Sequence, residues 1–291
     1  MDLQSRALAP LLQKYIPGNP TVAVQNVAGA GGIVAGNLFM RETAPDLTIL
    51  QCHIGYPLYQ LLGLDIKYDV RRWHFLGGAK REYMPIMQRA ELPYASISEW
   101  SQAKNPIVWS ADTLGSTVEN PARIMRMIGI RMKLVSGYPG GTARLLAVLR
   151  GEADATPELL STAKQHLDAG KLKVVGRLIP AQVPGYPDAP YVLRAFNFTD
   201  EQKILYGVAE AFWHLQTCWL VREETPKGVL QMLRDVVKRA MTSPEYESAM
   251  DKLQLGGDFM NADEILDKFV KPQLGIAAEL QEKFKKMALA E

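Results

Sequence analysis

The chain of 291 residues lacks the features that mark several large classes of protein. No apolar run is long enough to span a bilayer, and the opening residues, MDLQSRALAPLLQKY, do not have the pattern of a signal peptide. Charge of one sign is not in excess, since 33 Lys and Arg face 31 Asp and Glu, and no basic run is long enough to follow a nucleic-acid backbone. We therefore expect a chain that neither crosses a membrane nor binds nucleic acid.

Cysteine and histidine are also scarce. The two cysteines, Cys52 and Cys218, are far apart and form no C-x-x-C or zinc pattern, so we expect both as buried thiols. None of the four histidines lies in H-E-x-x-H, and the chain has no G-x-S-x-G motif. These absences argue against a metal, a cofactor and catalysis. The apolar content of 47% is sufficient for two domains with their own cores.

The most informative stretch is Asn19–Arg41, NPTVAVQNVAGAGGIVAGNLFMR. Its composition predicts a buried strand over 21–27, a tight turn at the glycines and a helix from Ile33 to Arg41. The first amides of a helix and its dipole favour an anion. The alternative is a tight strand-to-helix turn without a ligand.

Nothing in this stretch indicates that the anion is a nucleotide. The dinucleotide fingerprint G-x-G-x-x-G fails because Val34 occupies its third glycine position, and no acidic residue follows the next predicted strand, 47–52. The phosphate-loop pattern fails because no Lys-Ser or Lys-Thr follows the glycines.

Strands and helices alternate along most of the rest of the chain. An apolar stripe predicts a first helix over 2–15, and Pro10 within it predicts a kink or a late start. Strands are predicted over 75–78, 84–89, 107–110, 132–136, 153–156, 172–178 and 218–221, and a helix over 226–241. The alternation indicates an α/β fold with a mostly parallel sheet.

The order of several segments resembles one family along nearly the whole chain. PGNPTVAVQNVAGAGGIVAGNLF, FLGGAK, the LGST turn, SGYPGGTARLLAVLRGEAD and TPKGVLQMLRDVVKRAM are similar to successive segments of the substrate-binding proteins of tripartite tricarboxylate transporters, the Bug-type solute receptors. Asp2 and Arg6 resemble the aspartate and arginine that open the first helix in that family.

The resemblance implies a type II periplasmic-binding-protein fold, with two α/β domains around a ligand cleft. Residues 1–105 and 222–291 would form domain 1 and residues 106–221 domain 2. The family begins with a strand and a Gly-Gly loop just before the position of Asp2, so the first strand of domain 1 is expected to be missing here. The resemblance further implies a periplasmic location, a carboxylate ligand, permease subunits as partners, no cofactor and a monomer, with a dimer as the alternative.

Candidate ligand-binding residues follow the ends of the predicted strands. In domain 1, Gly29, Ala30, Gly31 and Gly32 would offer amides to a carboxylate, and Cys52 and His53 end the next strand, where ligands gather in open α/β sheets. His53 would donate to a ligand oxygen or lie at the surface.

In domain 2, the counterparts are hydroxyl-bearing and glycine residues at helix N-termini, which suit a second carboxylate or a hydroxyl. Glu158 would repel a second carboxylate or select an amine or hydroxyl, whereas Arg144 is expected to be solvated. The alternative for Ser116 and Thr117 is that they only cap the helix. The candidates are Ser110, Gly115, Ser116, Thr117, Tyr138, Gly140, Gly141, Thr142 and Glu158.

We therefore expect an extracytoplasmic receptor that captures a small organic acid for a tripartite transporter. The alternatives are a ligand-sensing module of the same fold without transport, and a small-molecule enzyme.

Overall fold

The structure is a computed structural model that describes residues 2–41, 47–53, 55–81, 83–112, 116–253, 255 and 257–289. Within these ranges, no helix combines the length and apolar character needed to cross a membrane. The helices are α1 Asp2–Tyr15, α2 Ile33–Arg41, α3 Gly55–Leu62, α4 Asn120–Met127, α5 Gly141–Leu149, α6 Leu160–Asp168, α7 Val192–Ala195, α8 Asp200–His214, α9 Lys227–Met241, α10 Pro244–Leu253, α11 Ala262–Ile265, α12 Lys271–Leu274 and α13 Ala278–Leu289.

The strands of the described ranges form two sheets. Their bounds are β1 Leu50–Cys52, β2 Trp73–Lys80, β3 Pro85–Arg89, β4 Ile107–Ser110, β5 Met132–Val135, β6 Ala155–Pro157, β7 Leu172–Arg177, β8 Leu215–Arg222 and β9 Phe259–Asn261. One sheet has the strand order β1-β8-β2-β9 and the other β5-β4-β6-β3-β7. The architecture is α/β, as predicted.

The prediction of a mostly parallel sheet is wrong for the described strands. All pairings of the first sheet are antiparallel, and in the second only β4 pairs in parallel, with β5 and β6. The reason is that β8 lies between β1 and β2 and runs against both. Local sequence patterns carry no information about such pairing between distant segments.

Contacts divide the chain into two compact units. The first comprises Met1–Arg81 and Leu215–Gly275, and the second Glu82–His214 and Ile276–Glu291. These bounds differ from the predicted ones because β3 pairs with β6 and β7. The C-terminal helix α13 packs on α4, which places it in the second unit. That the units are the two ligand-holding domains stays a prediction.

Each unit has its own apolar core. In the first unit, α1 and α9 pack against the sheet through Leu8, Leu12, Val221 and Leu233. Because apolar side chains recur every three to four residues along α1, the sequence predicted that helix with its observed bounds, and the helix continues through Pro10. In the second unit, an apolar cluster joins β3, α5, α6 and β7 and includes Met87, Leu145, Val148, Ala163 and Leu172.

The predicted buried strand over 21–27 is absent. These residues carry no strand pairing, and their side chains are exposed or half-buried. Valine-rich composition favours a strand only where a neighbouring strand offers backbone partners. In the first sheet, the described strand of lowest residue number, β1, pairs with β8, and 21–27 lies outside the sheet.

Candidate functional site

The glycine-rich stretch forms a tight loop at the start of α2. Gly29, Ala30, Gly31 and Gly32 all have positive φ, at 134°, 46°, 62° and 97°. Glycine adopts this region without steric cost, which explains why three of the four positions are glycine. The N–H of Gly32 donates to the carbonyl of Gly29 at 2.9 Å, closing a 3-10 turn over Ala30–Gly32.

His53 fixes this loop from the end of β1. Its Nε2 lies 2.7 Å from the carbonyl oxygen of Gly31, and the N–H of Gly55 donates to its Nδ1 at 2.9 Å. A carbonyl only accepts, so Nε2 carries the proton and Nδ1 is the acceptor. Both ring nitrogens are thus engaged within the protein, and contact of His53 with a ligand oxygen stays a prediction. The side chain of Cys52 is buried and lies opposite Cys218.

An aromatic cluster behind the loop was not foreseen from the sequence. Tyr59 donates its hydroxyl to the Gly31 carbonyl at 3.2 Å, and the ring of His53 lies 5.3 Å from that of Tyr56 and 6.0 Å from that of Tyr59. Burial raises the pKa of Tyr56 far above its usual range, so this phenol stays neutral. The signal was present in the H-x-x-Y-x-x-Y spacing, which places Tyr56 and Tyr59 three residues apart on α3, close to His53 just before the helix.

In the second unit, the predicted residues at the end of β4 and after it have structural partners. Ser110 is fully buried and donates its Oγ to the carbonyl of Arg144 at 3.3 Å. The Oγ of Ser116 accepts from the N–H of Glu119 at 3.2 Å, so this hydroxyl caps the turn that leads into α4. The carbonyl of Thr117 accepts from the indole of Trp213 at 2.8 Å. Gly115 lies outside the described residues.

The second glycine-rich turn opens α5. Gly140 is its N-cap with a φ of 144°, and Thr142 is exposed. Tyr138 is half-buried and packs against the apolar cluster of the second unit. A Cβ on Gly141 would collide with the carboxylate of Glu158, so only glycine allows that carboxylate to approach the start of α5 so closely. The helix dipole favours a negative charge at this position.

Arg144 contradicts the expectation that it is solvated. Its side chain is 7% exposed and forms ion pairs with Asp112 and, at 2.8 Å, with Glu158. Its Nε also donates to Thr156 Oγ1 at 3.3 Å. Charged side chains are buried when they are paired and hydrogen-bonded, and here one guanidinium pairs with two carboxylates. We call the group formed by Asp112, Arg144 and Glu158 the acid pair with Arg144. With two carboxylates and one guanidinium, this group carries one net negative charge.

The structure thus brings the predicted residues together in separate groups. In the first unit, the glycine loop meets His53. In the second unit, Ser110, Gly141 and Glu158 lie around Arg144. Arg144 and Asp112 were missed as site residues because the two are distant in sequence, 32 positions apart.

A family comparison covers nearly the whole chain. The profile of the family described as "Tripartite tricarboxylate transporter family receptor" matches residues 6–284. Among curated proteins, the chain is 25% identical over 278 residues to the UPF0065 protein in the gbd 5' region of Cupriavidus necator, covering 90% of this chain and 77% of that protein.

Two solved structures share the fold. The periplasmic binding protein BugD superposes with a TM-score of 0.75 at 21% identity, covering 99% of this chain and 93% of BugD. MatC from Rhodopseudomonas palustris, solved with bound malate, superposes with a TM-score of 0.70 at 19% identity, covering 99% of this chain and 94% of MatC. At these identities the likeness establishes the fold, which is that of periplasmic binding proteins.

Proposed function

Because the chain belongs to the tripartite tricarboxylate transporter receptor family, we propose that it is a periplasmic receptor that captures a small organic acid and delivers it to the permease subunits of such a transporter. The family is one of solute receptors, and no catalytic role is proposed for any residue. MatC, a structural relative, holds malate, which makes small organic acids the first compounds to test.

The observation that carries the proposal is the geometry of the glycine loop. Consecutive residues with unusual backbone angles at a helix start turn successive N–H groups toward one side and form a concave anion site. The N–H of Gly32 is already used within the turn, so we assign the carboxylate to the amides of Ala30 and Gly31. Gly29 and Ala30 are exposed, while the carbonyl of Gly31 is held by His53 and Tyr59.

The second unit supports a narrower choice of ligand. Its acid pair with Arg144 carries a net negative charge beside the start of α5, where the sequence had suggested a second carboxylate or a hydroxyl. Like charges a few ångströms apart repel strongly in a partly buried site. We therefore propose that the second unit accepts a hydroxyl, an amine or an apolar group rather than a carboxylate beside the start of α5, and that monocarboxylates bind more tightly than dicarboxylates of equal length.

Calorimetry tests this proposal on the purified chain. The panel comprises mono-, di- and tricarboxylates, with and without hydroxyl or amino groups, and NAD and ATP as nucleotide controls. We expect saturable binding of a carboxylate and no heat from the nucleotides. Nucleotide binding without carboxylate binding would instead favour the enzyme alternative, and preference for a dicarboxylate would overturn the assignment of the second unit.

A matched pair of glycine variants tests the loop itself. Gly31→Ala forces a side chain onto a φ of 62°, and Gly170→Ala does the same at 66° on the turn after α6. The two substitutions carry a similar backbone cost, on the order of 1 kcal/mol. We expect Gly31→Ala to weaken carboxylate binding by roughly tenfold or more, whereas Gly170→Ala binds as the parent does.

Transport distinguishes the receptor from a sensing module of the same fold. In a strain that lacks this gene, we expect uptake of the bound acid to fall and to recover when the gene is restored. Unchanged uptake together with intact binding would favour the sensing module.

A further inference from the structure

We infer that Cys52 and Cys218 form a disulfide when the chain folds in an oxidising compartment. The two residues are 166 positions apart in sequence, yet they lie directly opposite each other in the antiparallel pairing of β1 with β8. Their sulfur atoms are 3.0 Å apart, and both side chains are 1% exposed. The sequence predicted two buried thiols, which the structure confirms, but it gave no sign that they are neighbours.

The backbone is already arranged for the bond. Directly opposite residues of an antiparallel pair have Cα atoms about 4.5 to 5.5 Å apart, which lies within the range of about 4.4 to 6.8 Å seen for disulfides. The sulfurs need to approach by roughly 1 Å to reach the bond length of about 2.05 Å. Rotation of the two cysteine side chains supplies a movement of this size, so neither strand has to shift.

The neighbouring strand β2 places a glycine beside Cys218. Gly78 of β2 pairs with Cys218 on the side away from Cys52, so the three residues form one row across β1, β8 and β2. A Cβ on Gly78 would lie 3.2 Å from the Cβ of Cys218, closer than most real contacts. A hydrogen bond next to this row also joins β8 to β1, because Thr217 Oγ1 donates to the carbonyl of Cys52 at 3.1 Å.

The inference rests on the proposed periplasmic location, because disulfides persist in oxidising compartments. The reaction requires a thiol–disulfide oxidant, such as oxidised glutathione or an oxidising protein disulfide. One cysteine thiolate attacks the oxidant and releases one thiol, leaving a mixed disulfide. The second cysteine thiolate attacks that mixed disulfide, the protein S–S bond forms, and a second thiol leaves. Two electrons pass to the oxidant, and the two protein protons end on the released thiols.

Burial determines when the bond forms. Burial raises the pKa of the Cys52 thiol well above its usual value, so the reactive thiolate is scarce once the sheet has formed. We therefore expect oxidation during folding, before the thiols become buried, and slow oxidation of protein that has folded in the reduced form. The bond would link β1 covalently to the longer strand β8, with which it pairs. The strand β1 ends one residue before His53. The bond would thereby fix the base of the glycine loop.

A thiol count on the full chain tests the inference without any ligand. The protein is unfolded in denaturant, refolded with a mixture of reduced and oxidised glutathione, then denatured again and treated with a maleimide. We expect no modified cysteine and an intact mass lower by two hydrogen atoms, against two modified cysteines after refolding under reducing conditions. Peptide mapping without reduction should link the Cys52 and Cys218 peptides. The melting temperature of the oxidised form should be about 5 to 10 °C higher.

The contrary results are equally distinct. Two maleimide-reactive cysteines, a retained glutathione adduct or a disulfide-linked dimer after oxidative refolding would each overturn the inference. As a control, Cys52→Ser with Cys218→Ser should melt at the same temperature with and without oxidant. The thiol count is independent of ligand binding, so a silent calorimetry panel with an intact disulfide would reject the receptor proposal alone.

Discussion

At the scale of single residues, Arg144 shows how a charged side chain becomes part of a core. It lies on α5, a short amphipathic helix, where sequence reasoning assigns arginine to solvent. Instead its guanidinium is 7% exposed and neutralises Glu158, which is itself 7% exposed. Removing one partner of a buried ion pair leaves the other charge buried without compensation, and this costs more than the pair contributes.

We therefore expect Arg144→Met to destabilise the chain by about 3 kcal/mol, because it leaves Glu158 and Asp112 without their common partner. Urea unfolding, followed by fluorescence, measures this change. The matched control is Arg150→Met at the end of the same helix. The Arg150 side chain is 66% exposed, and its distance of 3.9 Å from Glu152 makes a weak ion pair. That change should cost less than about 0.5 kcal/mol.

A second variant tests the reason for the loss. Adding Glu158→Gln to Arg144→Met removes the uncompensated buried charge and should recover part of the lost stability. If Arg144→Met costs no more than Arg150→Met, the acid pair with Arg144 does not stabilise the second unit.

The candidate site was predictable from the sequence in kind but not in detail. Glycines at 29, 31 and 32 indicated a sharp turn, and the positive φ values confirm it. The sequence could not show which polar groups are already hydrogen-bonded within the protein. His53 and Ser110 were predicted as ligand contacts, yet their polar atoms bond to the chain itself, because their partners come from distant segments.

At the scale of elements, the sequence predicted structure reliably where the pattern lies within one segment. It did not do so where the structure depends on a pairing partner elsewhere in the chain. The helix α1 was predicted with its observed bounds because its apolar stripe lies within its own residues. The strand predicted over 21–27 is absent because valines alone do not supply a pairing partner. Similarly, β8 begins at Leu215, three residues before the predicted start at Cys218, because it pairs with β2 along that extra length.

The 3-10 turn over Val70–Arg72 provides a prediction about pH. Its N-cap, Asp69, accepts from the N–H of Arg71 at 3.0 Å and from Gln60 at 2.8 Å, and Arg71 holds its pKa down to about 2. A lowered carboxyl pKa adds stability above the unfolded value of about 4, and this stability is lost as the pH falls toward 2.

Asp69→Asn keeps a capping oxygen and removes the charge, so it isolates this effect. We expect a loss of up to about 1 kcal/mol at pH 7, since Arg71 is 68% exposed, and a smaller loss at pH 3. Thermal unfolding at the two pH values measures the difference. Asp65→Asn, at a side chain that is 88% exposed, should have little effect at either pH, and an equal loss from Asp69→Asn at pH 7 and pH 3 would contradict the assignment.

At the scale of the whole molecule, the chain order hides which segments belong together. The first unit takes residues from both sides of the second, and the last helix returns to the second unit. A family resemblance suggested a discontinuous division, but the contribution of α13 to the second unit depends on its packing against α4. Contacts of this kind join segments more than a hundred residues apart, and no local pattern records them.

Two units with separate cores should respond separately to core mutations. Phe284 of α13 and Leu233 of α9 are both fully buried, the first in the second unit and the other in the first unit. Phe284→Ala and Leu233→Ala each remove enough packing to cost about 3 to 4 kcal/mol. Because local unfolding follows cooperative units, hydrogen exchange measured by mass spectrometry should locate each loss.

We expect Phe284→Ala to accelerate exchange in residues 83–214 and 276–289, and Leu233→Ala to accelerate it in residues 2–81 and 215–275. Ile204→Ala, at a side chain that is 52% exposed, controls for loss of an apolar group without loss of packing and should leave exchange unchanged. If either core variant accelerates exchange equally across the chain, the two units unfold as one. The two units defined by contacts would then not be separate units of stability.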